Sequence, residues 1–219
     1  TKDPEDRFHF GGTFYVGDYA SKHKDLFYNI EQITPTDIYN TRLYLTGPVP
    51  GVSKVLSYYL SFRRYYNEGW LYGQRRFNPS DSSSFDPKAV YIEQTGDGRP
   101  VPMNYRRETY ANIKLFARLT PGLRLRYSLL GHAYRYRNYN HLYKYNPDGD
   151  VTNRERGYTH MLELNHVLSP GTFYTLKLGW YTYRFKSYLY EDPHDPRYVN
   201  PVLLRNRQDA FSFLTGGTN

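Results

Sequence analysis

The sequence predicts an all-β chain that is part of a large antiparallel transmembrane β-barrel, with short turns at one end of its strands and long loops at the other. Three observations predict it: a period-two alternation over most of residues 110–136, connections that alternate short and long, and a Tyr-rich but polar composition. Aromatics make up 18% of the chain, with 26 Tyr against 2 Trp, and mean hydropathy is −0.79. No run approaches the roughly 18 consecutive apolar residues of a membrane helix. A membrane barrel needs no such run, because only every second strand residue faces lipid. Tyr suits strands, and it suits the girdle where a ring sits in lipid and a hydroxyl in water.

Residues 110–136 read as two strands joined at Thr120-Pro121-Gly122. Ala111, Ile113, Leu115, Ala117 and Leu119 share one face before the turn. Leu123, Leu125, Tyr127, Leu129, Gly131 and Ala133 continue it afterwards. Lys114, Phe116, Arg118, Arg124, Arg126, Ser128 and His132 take the other face, with Leu130 an exception. Arg135 interrupts the apolar face at its far end, where a strand leaves the lipid. A helix cannot produce this period, and each arm has the length a tilted strand needs to cross a bilayer.

The remaining elements follow in order. Residues 7–19 place Phe8, Phe10, Phe14 and Val16 opposite Arg7, His9, Thr13 and Tyr15, and Gly11-Gly12 marks a bulge or a close approach. A polar loop over 20–37 leads to a strand at 37–47, which Gly47-Pro48-Val49-Pro50-Gly51 ends. Residues 53–66 set Leu56, Tyr58, Leu60 and Phe62 opposite Ser57, Tyr59, Ser61 and Arg63. Residues 67–105 are rich in Gly, Pro, Ser and Asp and read as a long surface loop. After 138–156, another polar segment, come strands at 157–168 and 172–188, joined at Ser169-Pro170-Gly171. Short turns on one side and long loops on the other are the asymmetry of bacterial outer-membrane barrels. About seven strands result. An odd, open set leaves costly unpaired edges in lipid, so the chain is expected to be a fragment of a larger barrel. TKDPEDRFHF lacks the apolar core of a signal peptide, so an exported protein is expected either to have had its signal removed or, the better reading, to begin here partway through a longer chain.

With strands and loops placed, several segments resemble the barrel of TonB-dependent outer-membrane receptors. They are GGTFYVGDY (11–19), LTGPVPGVSK (45–54), YYNEGWLYGQRRFNPSDSS (65–83), YKYNPDGD (143–150) and YEDPHDPRYVNP (190–201). The resemblance implies that residues 1–219 are the early part of a 22-stranded barrel plugged by an N-terminal domain. It implies residence in the cell outer membrane among its lipids, and import of a small ligand such as an iron chelate, cobalamin or glycan. Its implied partners are the plug domain and a TonB-type energy-transducing complex. The family has no universal catalytic residues, so none are expected here.

The chemistry-bearing residues point the same way. Cysteine is absent, which removes thiol nucleophiles and thiolate metal sites and fits an oxidising envelope compartment. The net charge of +8 raises nucleic acid as a partner, but the cations are spread in alternation and no RNP-like, helix-turn-helix or zinc pattern is present. No nucleic acid is expected. Asp192-Pro193-His194-Asp195-Pro196 and Asn146-Pro147-Asp148-Gly149-Asp150 hold possible metal ligands, yet both read first as rigid turns, and no metal or other cofactor is expected. No GxSxG or SxxK motif appears, so an enzyme is not expected. Arg42, Arg63, Lys114, Arg118, Arg124, Arg126 and Lys177 occupy the polar register of their strands. They form either a positive wall for an anionic ligand or contacts to plug carboxylates and lumen water. Trp70, Tyr72 and Phe77 could stack on a ligand at the barrel mouth or anchor their loop on the rim. The candidate ligand-binding set is therefore Trp70, Tyr72, Phe77, Arg63, Lys114 and Arg118. Two rival readings are a soluble β-sandwich that binds carbohydrate and a passive porin. A sandwich strand runs about five to six residues, shorter than most of these.

Overall fold

A computed structural model describes residues 7–198. The chain is all-β. Its strands are β1 His9–Gly17, β2 Ile38–Pro48, β3 Leu56–Asn67, β4 Tyr72–Gln74, β5 Ser83–Ser84, β6 Tyr91–Ile92, β7 Pro100–Pro102, β8 Arg106–Thr120, β9 Leu123–Tyr136, β10 Thr152–Ser169 and β11 Thr172–Tyr188. Seven of them form one antiparallel sheet in the order β1-β2-β3-β8-β9-β10-β11, a meander in which each long strand pairs with its neighbours along the chain. Among the described residues the sheet does not close, and β1 and β11 are its edges. The end of the 190–201 segment, part of the resemblance drawn from sequence, lies outside the described residues.

The seven predicted strands are all present, and the differences lie at their ends. β8 begins at Arg106 and β10 at Thr152, so 152–156, read from sequence as part of a polar loop, is strand. Charged side chains do not prevent pairing there, because the ladder is made by the backbone: Arg154 still faces Arg135 and Arg156 still faces Ala133. Gly47 and Pro48 complete β2 opposite Tyr58 and Ser57. The segment 68–105 also holds two small ribbons, β4–β7 and β5–β6.

Register sorts the side chains into two faces, since directly opposite residues in a ladder share a face. One face carries rows such as Tyr58, Leu115, Tyr127, Leu162 and Leu178, and Leu60, Ile113, Leu129, His160 and Trp180. This face is exposed: Trp180 at 71%, Phe10 at 67% and Leu178 at 57%. Its two histidines are each bonded to a tyrosine, Tyr127 Oη to His160 Nδ1 at 2.9 Å and Tyr174 Oη to His166 Nδ1 at 3.1 Å. Along the sheet the buried polar side chains Asn40, Thr46, Ser57, Glu108, Lys114 and Ser128 all stand on the opposite face, and on the exposed face the buried strand residues are Gly47 and Thr152, both at strand ends. The usual arrangement of a soluble sheet, apolar inside and polar outside, is inverted.

The glycines of β1 show how tightly β2 is held. A side chain on Gly12 would meet Leu43 Cδ2 at 2.8 Å and the Arg42 carbonyl oxygen at 2.9 Å, whereas nothing lies within 4 Å of one on Gly17. The register of β1 and β2 runs without a shift, so Gly11-Gly12 marks a close approach and not a bulge. Gly12→Val is expected to destabilise the fold by about 1–3 kcal/mol through overpacking against backbone. Gly17→Val is expected to be close to neutral. Equilibrium urea denaturation of the two variants checks the difference.

Candidate functional site

The three long connections, 18–37, 68–105 and 137–151, all leave the same end of the sheet, opposite the short turns 49–55, 121–122 and 170–171. Backbone bonds join two of them. The Gln74 N–H donates to Lys144 O at 2.8 Å, and the Arg76 and Phe77 N–H groups donate to Tyr145 O at 3.0 and 2.9 Å. Such an approach requires Gly73, where a Cβ would meet the Lys144 carbonyl oxygen at 2.7 Å and Met103 Sδ at 2.6 Å. Met103 is fully buried and forms the small apolar core of this assembly. Asn104 Oδ1 accepts from the N–H groups of Trp70 and Leu71 at 3.1 and 3.0 Å, and this holds the start of the loop against its own end.

Between the loops lies a cleft of about 450 Å³ whose lining includes the cations Lys24, Arg76 and Lys144, one carboxylate, Asp25, and the rings of Tyr28, Trp70, Tyr72, Tyr139, His141 and Tyr145. Arg76 lies 4.4 Å from the Tyr145 ring centre, and the Tyr139 hydroxyl bonds His141 Nδ1 at 2.7 Å. Phe27 meets Trp70 edge-on at 5.6 Å. Cations and π-faces of this kind suit a flat or anionic small molecule. Tyr72 is buried, and burial followed by the nearby Glu68 carboxylate pushes its hydroxyl well above the usual tyrosine range. It remains a neutral hydrogen-bonding group.

The sequence-derived candidates do not gather into one site. Trp70 and Tyr72 line the cleft, while Phe77 lies beside it at the junction with Tyr145. Arg63 stands on the polar face, donating from Nε to Asn40 Oδ1 at 3.1 Å and 3.9 Å from Glu108. Lys114 is four positions further from the loops than Tyr110, which faces Arg63, or about 13 Å along the strand. Arg118 is four positions beyond that and faces Arg124 next to the short turn. Arg126 and Lys177 share Glu163 at 3.6 and 3.3 Å. The polar-face cations are thus partly matched by carboxylates of the sheet itself.

Sequence reasoning missed Lys24, Arg76, Tyr139, Lys144 and Tyr145, because what unites them is the meeting of three loops. It also missed Arg137, buried and donating to Pro147 O at 2.6 Å and to Thr152 Oγ1 at 3.3 Å, which fixes one loop to the end of β10. The Asp148 carboxylate of the Asn146–Asp150 turn is bonded to Arg75 Nε at 2.5 Å. Among the described residues, no group of three or more His, Asp or Glu comes together to hold a metal ion. No family model, curated protein or solved structure matches this chain.

The middle of the long loop is held by carboxylates. Partial burial raises the Asp81 carboxyl, but bonds from the Thr95 hydroxyl and the Thr95 and Asn78 N–H groups outweigh it and leave the group below the usual range. The Arg99 N–H and then Arg75 hold Asp97 low in the same way. Since the folded-state carboxyls titrate below their unfolded values, these bonds are fully present above about pH 4 and are lost as pH falls through the lowered values. Amide exchange at Thr95 and Arg99 is expected to accelerate, relative to the Leu129 amide in β9, as pH drops from neutral through that window. Equal protection across it would contradict the assignment.

Proposed function

We propose that this chain is part of a transmembrane β-barrel of the TonB-dependent receptor type in a bacterial outer membrane, serving ligand uptake through its long-loop end. The observation that carries the reading is the inverted sheet: an exposed apolar face and a polar face that holds most of the buried strand residues. From Leu123 to Gly131 on β9, and along the matching rows as far as the other strands reach them, the apolar face carries no Asp, Glu, Lys or Arg. Nine such residues are the span of a tilted strand in a hydrocarbon core of about 30 Å. Unpaired edges are very costly in lipid, so β1 and β11 pair with further strands of a larger barrel. The loop cleft, with its cations and aromatic rings, is the binding mouth, and the polar face lines the lumen. The residue roles assigned to the cleft are Trp70 and Tyr145 as stacking surfaces and Lys24, Arg76 and Lys144 as charge partners for a small anionic ligand.

A soluble carbohydrate-binding sandwich is disfavoured because strands of 14, 15, 17 and 18 residues exceed what a sandwich uses and because, among the described residues, no second layer covers the apolar face. A passive porin shares every strand feature and differs only in lacking a plug and an energy-coupled ligand site.

Circular dichroism and sedimentation in buffer and in detergent micelles test the reading. A sheet spectrum that requires micelles, with aggregation in buffer, is expected. A monodisperse, cooperatively folding β protein in plain buffer would overturn it. Within a bilayer, Leu178→Arg is expected to cost about 2–4 kcal/mol, because it places a charge near the middle of the lipid-facing band. Lys177→Gln, one residue away on the polar face, is expected to cost less than about 1 kcal/mol. Denaturant titration of both variants in vesicles measures the contrast.

A further inference from the structure

The apolar face changes character toward the long-loop end. One row across β3, β8, β9, β10 and β11 holds Arg64, Thr109, Ala133, Arg156 and Arg184. The next holds Tyr66, Arg107, Arg135, Arg154 and Lys186. Seven cations therefore occupy two adjacent rows, a patch about 20 Å wide at the usual strand spacing. Arg107 faces Arg135, Arg135 faces Arg154, Arg154 faces Lys186, and Arg156 faces Arg184. Like charges directly opposite one another destabilise a strand pair.

The sheet offers these cations no counter-charge. The seven long strands contain three carboxylates, Glu108, Glu155 and Glu163, and all three stand on the polar face, where Glu155 accepts from the Tyr136 hydroxyl at 2.7 Å. From the segment after β11, Glu191 reaches Lys186 Nζ at 3.6 Å. The guanidinium groups are held in place by their neighbours. Arg107 lies 5.0 Å from the Tyr66 ring centre, Arg154 lies 4.2 Å from that of Tyr188, and Arg64 donates to Thr109 Oγ1 at 2.7 Å. Together they line a shallow depression of about 380 Å³.

We infer that this cationic belt binds the phosphates of a polyphosphorylated lipid headgroup in the leaflet facing the long loops. Planar guanidinium forks match phosphate oxygens in pairs, and a phosphate between facing arginines relieves the repulsion the register imposes. A lipid fits better than a free anion because the belt directly adjoins the apolar rows. Acyl chains lie against Leu129, Trp180 and their neighbours while the phosphates meet the arginines. The inference rests on the membrane-spanning reading above.

The test uses the purified full-length protein, partitioned between phosphatidylcholine vesicles with and without diphosphoryl lipid A. A preference of about tenfold or more for the lipid A vesicles is expected. It is expected to fall to near parity in the triple variant Arg135→Gln, Arg154→Gln, Lys186→Gln, and with dephosphorylated lipid A. An undiminished preference in either arm overturns the belt, as does displacement by millimolar inorganic phosphate, which would mark a free-anion site. Flotation of both proteins with pure phosphatidylcholine reports insertion separately. Insertion without lipid A preference overturns the belt alone, and failure to insert overturns the membrane reading with it.

Discussion

The hydrogen-bond register of the long ladders fixes the face on which each side chain of the sheet stands. A slip of one residue between β8 and β9 would carry Leu125, Tyr127 and Leu129 to the face of Lys114 and Glu108 and bring Arg126 to the other. The register shifts only between Arg118 and Thr120 and between Val167 and Ser169, both beside tight turns, so the error does not propagate. Those turns, Pro121-Gly122 and Pro170-Gly171, are the stitches that set the pairing. Everything built on the sheet, from the polar face to the cationic belt, inherits its position from them.

Charge follows the same partition. On the polar face carboxylates and cations meet: Glu108 serves Arg63 and Arg106, and Glu163 serves Arg126 and Lys177. On the apolar face charge is excluded over a band and then returns as one sign only. An isolated soluble sheet has no reason to segregate charge by height along one face, whereas a sheet crossing from hydrocarbon into phosphate headgroups does. The loops beyond the belt have their own small core in Met103, their own clasps in Arg75 with Asp97 and Asp148 and in Asp81 with Thr95 and Asn78, and a cleft between them.

Much of this was legible in the sequence because period-two alternation is a local signal. The faces of β1, β3, β8, β9 and β11 follow directly from which residues alternate, and the Thr120-Pro121-Gly122 and Ser169-Pro170-Gly171 breaks locate the turns. The strand ends were less legible, since Arg106–Thr109 and Thr152–Arg156 carry the polarity of loops while pairing as strands. The cleft was hardly legible at all. Trp70 and Tyr72 stood out by residue type, but Lys144 and Tyr145 join them only because Gly73 lets the 137–151 loop approach the backbone of β4. The lateral row of arginines was equally hidden: one of its members, Arg135, stood out as a break in the alternation, yet the row exists only once five strands are aligned.

The most direct measurement of the central claim is the environment of Trp180, in the apolar rows, compared with Trp70, in the loops. In vesicles carrying brominated acyl chains, a Trp70→Phe variant reports Trp180 alone and a Trp180→Phe variant reports Trp70 alone. The membrane-spanning account predicts strong quenching and a blue-shifted emission for Trp180 with little effect on Trp70. Equal and weak quenching of both would contradict it.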